Sequence, residues 1–440
     1  MRIFYASDTT PNSSFKSNLW RNNLYLPLID LGHEVIEFDY DLSKTFINLN
    51  PIDPIQRKFI KKNRPTVSQE LLKQIKKAHE KKSIDLFFSY FFDACILPET
   101  IDVIKSLGIK TINWYCNGSY QLDLVSEISP HYDYCLVPEK FRLEDYKNLG
   151  ANPIYCQEAA NPSFYKSYDL QKDFDVTFVG QAYGERPDYI KYLLDNNINI
   201  KVWGHGWINF SEQEKNKSTY KKYINKFKKL FSRDILKTLQ YRLHYLINPE
   251  DKVKVQKSFP FISNIILPNN VIGNVLSDEE MIKMYSRSKI NLGFSSCGNT
   301  HTEKNRILQV RLRDFEVPIS GGFYMVEYMD ELEEFFEIGK EIVCYQNKED
   351  LVEKIKYYLK NDLEREKISL AGRKRCLRDH TWHKRFEMVF EKIFENYKSY
   401  SVDPSPRYKS PRDPLGINYP KHFILSDLQC KSYRRTGRTE

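Results

Sequence analysis

Short apolar runs alternate with longer amphipathic segments through the first 165 residues. The apolar runs are RIFYAS, EVIEFDYD, IDLFFSYFF, TINWYC and YDYCLVP. Helical periodicity lies between them, through Leu31, around residues 67–80 and near residues 97–107. Such alternation predicts βαβ units, which form a parallel sheet covered by helices and gather ligands at the carboxyl ends of the strands. We therefore expect residues 1–165 to form an N-terminal Rossmann-like domain.

A second alternation begins near Asp173, with DVTFVG, INIKVWG, KINLGFS and EIVCY as predicted strands. The stretch EAANPSFYKSYDLQ before it has few periodic apolar residues and is predicted to be a linker. We expect a second Rossmann-like domain over residues 173–380, a C-terminal helix over 381–397 and a Pro- and charge-rich tail over 398–440. The predicted fold class is thus α/β, with two Rossmann-like domains facing across a cleft.

Composition agrees with this division. A chain of 440 residues exceeds what one hydrophobic core usually supports, and 41% hydrophobic residues are enough for packed cores. The N-terminus lacks a signal-peptide pattern and no window holds 18 uninterrupted apolar residues, so we expect a cytoplasmic protein. Eight cysteines without CxxC pairs favour reduced thiols over a zinc site. A net charge of +9 suits acidic partners without choosing among them.

The segment RILQVRLRDFEVPISGGFYMV carries the most informative chemistry. Arg311, Arg313 and Glu316 are predicted on a helix that ends at the glycine pair Gly321 and Gly322. Arginines can hold a diphosphate through charge-assisted bonds, a carboxylate can accept hydrogen bonds from two ribose hydroxyls, and glycines allow close backbone approach. The combination predicts a nucleoside-diphosphate site, although Arg311 is equally well explained as an ordinary surface charge.

Two further contact zones are predicted nearby. In FVGQAYGERPDYI, Gly180 and Gly184 give a loop after a strand its freedom, and Arg186 stands at a helix N-terminus that favours anions. Glu327 follows in the next predicted strand, where it either binds the sugar or caps the following helix.

This region resembles a known family, the group-1 glycosyltransferases of GT-B fold, and within them the spore-maturation-type (CgeB-like) branch. The resemblance is clearest over residues 280–390, in SRSKINLGFS, RDFEVPISGGF, FEIGKEIVCY and GRKRCLRDHTWHKRF. It implies that Glu316 binds the donor ribose beside Arg313 and that Gly321 and Gly322 approach the donor phosphates or sugar. The donor would be a UDP-, GDP- or dTDP-sugar acting as co-substrate, with no further cofactor. Leu308 stands where the wider group has a second glutamate, so retention or inversion stays open.

Sugar transfer needs a stabilised leaving group and either a base or a same-face route. Arginines and backbone dipoles can stabilise the departing diphosphate, so we expect no metal. The acceptor base would lie in the N-terminal, acceptor-binding domain, where Asp8 after the first strand is the first candidate and Asp93 the second. Both could instead cap a neighbouring helix.

A basic insertion is predicted over residues 210–250. Its stretch 215–247 is almost free of acidic residues and repeats apolar residues at helical spacing. It either lies on an anionic membrane, at the inner face, or packs on the domain with its lysines in solvent.

The main functional hypothesis is a glycosyltransferase that moves a sugar to a glycan, lipid-linked or protein acceptor. A GT-B-like sugar-nucleotide epimerase would use the same fold and a similar diphosphate site. A nucleic-acid-binding protein is disfavoured because RNA-binding aromatic motifs are absent, so no nucleic-acid partner is expected.

Overall fold

The computed structural model describes residues 1–8, 18–212, 265–298, 300 and 306–394. The predicted basic insertion lies outside these residues except for positions 210–212, and so does the whole predicted tail, 398–440. In the part of the chain described, no helix is long and apolar enough to cross a membrane.

The first half of the chain forms a six-stranded parallel sheet in the order β2-β1-β3-β4-β5-β6. Its strands are β1 (Arg2–Ala6), β2 (Glu34–Glu37), β3 (Leu86–Ser89), β4 (Lys110–Trp114), β5 (Tyr134–Val137) and β6 (Pro153–Tyr155). Its helices are α1 (Leu26–Asp30), α2 (Ser43–Ile47), α3 (Pro54–Lys81), α4 (Glu99–Ser106), α5 (Gly118–Gln121) and α6 (Leu143–Asn148).

The second half forms a five-stranded parallel sheet in the order β11-β10-β9-β7-β8. Its strands are β7 (Phe174–Val179), β8 (Ile200–Trp203), β9 (Ser288–Gly293), β10 (Tyr324–Glu327) and β11 (Val343–Tyr345). The described helices that follow α6 are α7 (Arg186–Asp195), α8 (Asp278–Arg287), α9 (Leu312–Ile319), α10 (Lys348–Lys360), α11 (Asp362–Asp379) and α12 (Trp382–Ile393).

Helix α12 packs on the first half, although it follows the second half in sequence. Trp382, Phe386, Val389 and Phe390 are fully buried in the core of the first sheet. Trp382 meets Trp114 of β4 edge to face, with ring centroids 5.2 Å apart. Aromatic pairs of this geometry add about 0.5–1.5 kcal/mol beyond burial alone, so helix α12 ties the two halves together.

The predicted α/β class with two βαβ halves is confirmed.

Helix α3 is longer than the periodicity around residues 67–80 predicts. It begins at Pro54 because the Asp53 side chain accepts hydrogen bonds from the backbone N–H groups of Ile55 and Gln56, at 2.9 and 3.1 Å. Such a cap, followed by proline at the first helical position, fixes a helix start.

Candidate active site

A cavity of about 680 Å³ lies between the two sheets, a size typical of small-molecule sites. Ser7 and Asp8 reach it just after β1, and Val179 and Gly180 reach it at the end of β7. Carboxyl ends of parallel strands meet at one sheet edge, which is why two edges of this kind can enclose one ligand. The predicted cleft between the halves is therefore present.

The N-terminus of helix α9 forms one wall of the cavity. Arg311 caps the helix, and its backbone N–H donates to Asp314 Oδ2 at 2.7 Å. Tyr324 donates to the other oxygen of Asp314, also at 2.7 Å. Burial raises the pKa of Asp314 to about 6. These bonds fix the start of α9. The positive end of the helix dipole therefore lies at the cavity, where it favours an anion.

Glu316 and Arg313 lie one turn into α9, and both line the cavity. The Glu316 side chain is only 4% exposed, and Oε1 accepts a hydrogen bond from Tyr285 at 2.7 Å. Arg313 donates to the same tyrosine oxygen at 2.9 Å, and its Nη2 is 3.4 Å from Glu316 Oε1. Tyr285 of α8 thus orients both predicted donor-binding side chains.

Arg186 is the first residue of α7 and lines the same cavity as the start of α9. Its guanidinium stacks over the ring of Tyr183, 3.8 Å from the centroid, and donates to the Tyr183 hydroxyl at 2.7 Å and to Gln181 O at 3.0 Å. Burial lowers the pKa of Arg186 to about 10, with smaller contributions in the same direction from Arg311 and Arg313. The three arginines are therefore close enough to repel one another.

The positive charge on this wall is only partly neutralised. Among the described residues neither Arg186 nor Arg311 forms an ion pair with a carboxylate. Arg311 donates to Ser296 O at 2.7 Å, while its buried Nε has no hydrogen-bond partner in that part of the chain. Buried charges are normally paired, so this arrangement suits an anionic ligand.

The glycine pair has a different position from the one that the resemblance implies. Gly321 and Gly322 are not among the residues that line the cavity. They follow the C-terminus of α9, where Gly321 has φ of +78° and Gly322 N–H returns to Val317 O at 3.0 Å. A Cβ on Gly322 would lie 2.8 Å from Val317 Cγ1, and one on Gly321 would lie 2.7 Å from Ser167 Oγ. The pair closes the helix and allows tight packing, at the end whose dipole disfavours phosphate.

Glu327 and Gly184 also lie away from the cavity lining. Glu327 ends β10 with its side chain buried, 2.5 Å from Arg306 Nη1, and accepts the Ser295 N–H at 3.3 Å. Burial raises the pKa of Glu327. Arg306 also pairs with Glu185, the residue after Gly184. This cluster anchors Glu185, which directly precedes Arg186 and the start of α7, and this is a structural role.

Only one of the two predicted base candidates reaches the cavity. Asp8 lines it, whereas Asp93 does not. The Asp93 carboxylate accepts the backbone N–H groups of Glu127 at 3.1 Å and Ile128 at 3.0 Å, and burial raises its pKa to about 6. Asp93 therefore holds the 127–128 turn in place.

Other lining residues were not singled out by the sequence. Glu158, in the predicted linker, is 6% exposed and lines the cavity. The first-half wall is aromatic and includes Trp20, Phe46, Tyr90 and Tyr120. No local spacing marks these positions, because they come together only when the strands of the first sheet align. The sole sequence signal for Glu158 is a charged residue in an otherwise uncharged stretch, CQEAANPSF.

Comparison with known proteins gives a family match for part of the chain and a similar fold for most of it. Residues 186–391, slightly less than half of the chain, match the family model described as "Glycosyl transferase-like". No curated protein sequence matches significantly. Sucrose-phosphate synthase from Thermosynechococcus elongatus is similar in structure, with a TM-score of 0.52 and 12% identity over 90% of this chain and 100% of that chain.

Two other solved structures are also similar. HepE from Anabaena, in complex with UDP and glucose, has a TM-score of 0.49 and 10% identity over 89% of this chain and 99% of that one. A glycosyltransferase from Rickettsia africae has a TM-score of 0.49 and 12% identity over 90% and 99%. At such identities the likeness to the synthase shows the fold alone, which is the predicted GT-B arrangement of two Rossmann-like domains. Together with the family match over residues 186–391, this fold supports a glycosyltransferase of GT-B fold.

Proposed function

We propose that the protein transfers a sugar from a UDP-, GDP- or dTDP-sugar, with the diphosphate held at the N-terminus of α9. The observation that carries this proposal is the convergence of Arg186, Arg311 and Arg313 on one cavity wall, where Arg313 alone pairs with a carboxylate, Glu316, among the described residues. A diphosphate would relieve the repulsion among the arginines, and Glu316 is placed to accept hydrogen bonds from the ribose.

The first-half wall suits the acceptor. Trp20 and Tyr90 meet edge to face with centroids 5.6 Å apart, and Phe46 lies against Tyr90 at 6.1 Å. Aromatic faces offer rigid apolar area on which sugar rings pack, so this wall favours an acceptor that presents a saccharide, whether it is a free glycan, a lipid-linked glycan or a glycosylated protein.

The proposed chemistry needs no metal. As the bond between the anomeric carbon and the distal phosphate oxygen breaks, the arginines and the α9 dipole stabilise the charge on the departing diphosphate. Asp8 lines the opposite side of the cavity and is the proposed base for the acceptor hydroxyl.

Nucleotide binding and turnover test this proposal separately. UDP, GDP or dTDP at 100 times its Kd should raise the unfolding free energy by about 2.7 kcal/mol in a thermal-shift assay. The matching nucleotide sugar should release its diphosphate in the presence of acceptor, with or without EDTA. Indifference to all three diphosphates would refute the proposal, and loss of turnover in EDTA would refute metal independence alone.

We also propose that the protein is cytoplasmic, belongs to the spore-maturation-type branch and contacts an anionic membrane through residues 215–247. The membrane contact rests on the sequence of that stretch, in which each basic residue near the surface would contribute about 1 kcal/mol. Sedimentation with phosphatidylserine liposomes, before and after deletion of 215–247, tests it. Failure of the undeleted chain to sediment with them would end this part of the proposal.

A further inference from the structure

Glu158 is a buried carboxyl in the cavity wall for which the proposed function assigns no role. It lies in the segment that leaves β6, between Gln157, whose Nε2 donates to Pro138 O at 3.0 Å, and Ala160, which bridges to Thr381. The segment is thus fixed on both sides of Glu158, and the side chain is held at the cavity with 6% exposure.

The carboxyl group of Glu158 meets the start of helix α9. Arg311 and the backbone N–H of Leu312, the first residue of that helix, both lie close enough to favour its ionised form. Glu158 forms no ion pair with any described residue. The titratable and charged groups that act on it from the surrounding elements are Glu139, Asp314, Arg311, Cys116 and Tyr90.

Burial, as the largest effect, and the charge of Glu139, as the second, raise the pKa of Glu158 to about 8. Arg311 and the Leu312 N–H act in the opposite direction without cancelling these effects. At neutral pH the group therefore holds a proton. A protonated carboxyl has one O–H donor, so it can donate a hydrogen bond into the cavity that it lines.

We infer that Glu158, as a neutral carboxylic acid, donates a hydrogen bond to the distal phosphate of the nucleotide sugar beside Arg311. The inference rests on the proposed function. An ionised carboxylate at this place would repel the diphosphate, whereas a neutral acid adds a donor to those of the arginines. A bound diphosphate would in turn favour the protonated form, so donor binding and protonation of Glu158 reinforce each other.

The test is calorimetric titration of the full chain with UDP-glucose, GDP-mannose and dTDP-glucose between pH 6 and 9. Both phosphates of these compounds are diesters that do not titrate in this range, so a fall in affinity that Glu158→Gln abolishes belongs to Glu158 and not to the ligand. Since the protonated form binds, affinity should be constant at low pH and fall above about pH 8, towards tenfold per pH unit.

Glu158→Gln keeps a hydrogen-bond donor and removes the titration. It should bind within about threefold of wild type at pH 6.5 and lose the fall in affinity above pH 8. Glu158→Ala should bind about tenfold more weakly at pH 6.5, as expected for loss of a bond to a charged group.

Glu139→Gln is the matched control, because Glu139 is also a buried carboxyl but does not line the cavity. It should keep the fall in affinity and move it to lower pH, since the charge of Glu139 raises the pKa of Glu158. An unchanged pH dependence in Glu158→Gln would overturn the inference, as would affinity that rises with pH in the wild type. The inference would also be overturned if Glu158→Gln lost turnover while its binding and pH dependence stayed unchanged, because Glu158 would then act as a catalytic base. A wild-type chain that binds none of the three sugars would instead refute the proposed function itself.

Discussion

Replacing Glu316 by Gln tests the centre of the proposed donor site. The amide keeps an acceptor for Tyr285, 2.7 Å away, but removes the charge that faces the ribose and Arg313. A hydrogen bond to a charged group contributes about 1.5–3 kcal/mol and a neutral one about 0.5–1.5. With two ribose hydroxyls, the expected loss is about 2–3 kcal/mol, or roughly 30- to 140-fold in Kd.

The same change should also lower the stability of the fold. Removing one partner of a buried ion pair costs about 3–5 kcal/mol. The Arg313 side chain is 23% exposed and keeps the Tyr285 hydroxyl, so we expect the smaller loss of about 2 kcal/mol.

Calorimetric titration with the diphosphate that binds the wild type, together with thermal unfolding, separates these two effects. Glu331→Gln is the matched control, because Glu331 also accepts a tyrosine hydrogen bond, from Tyr155 at 2.6 Å, but does not line the cavity. It should lower the unfolding free energy by about 1–2 kcal/mol and change the affinity only slightly. If Glu316→Gln loses stability but binds the diphosphate within twofold of wild type, Glu316 is structural and the proposed ribose contact is refuted.

Three further results are expected. Arg311→Gln should weaken diphosphate binding by about 10- to 100-fold. Arg287→Gln is the control, because Arg287 is an exposed arginine paired with Asp173, and it should leave the affinity unchanged. Equal effects of the two changes would contradict the proposed binding of the diphosphate by Arg311. Gly321→Ala should lower the unfolding free energy by about 1–2 kcal/mol, because the φ of Gly321 is +78°. The nucleotide affinity should not change. A loss of affinity without a loss of stability would show that Gly321 contacts the nucleotide. Burial lowers the pKa of His380 to about 4, below its unfolded value near 6.5, so its stabilising contribution is complete above pH 6.5 and is lost as the pH falls towards 4. Calorimetric unfolding should therefore show up to about 3 kcal/mol lost over that range, and a smaller slope in His380→Gln; an equal slope would exclude His380 as the cause.

Much of the fold could be predicted because buried parallel strands leave a clear pattern in the sequence. LFFS of β3 is buried at every position, as expected for a strand covered on both faces. The long-range path of α12 could not be predicted in this way. Its amphipathic periodicity shows that Trp382 and Phe386 are buried, but periodicity does not say against which sheet.

The site was predictable where its residues share one helix. Arg311, Arg313 and Glu316 were identified together because their spacing on α9 puts them near one another, and the structure places all three at the cavity. Glu158 was missed because it reaches the same place from a segment more than 150 positions earlier in the chain. The pKa of Glu158 is raised by burial and by the charge of Glu139, and a local sequence pattern shows neither of them.

The direction of α9 explains why the sequence predicts the glycine pair at the ligand, whereas the structure places it away from the cavity. A glycine turn next to arginines is expected at a phosphate site when the turn precedes a helix, because the backbone N–H groups then point at the anion. Here Gly321 follows the helix, and the free carbonyls of that end carry partial negative charge. Arg311 and Leu312, at the opposite end, are the residues beside which the buried arginines and Glu158 gather. The direction of the helix, more than the presence of glycine, therefore decides where the proposed diphosphate would bind in this cavity.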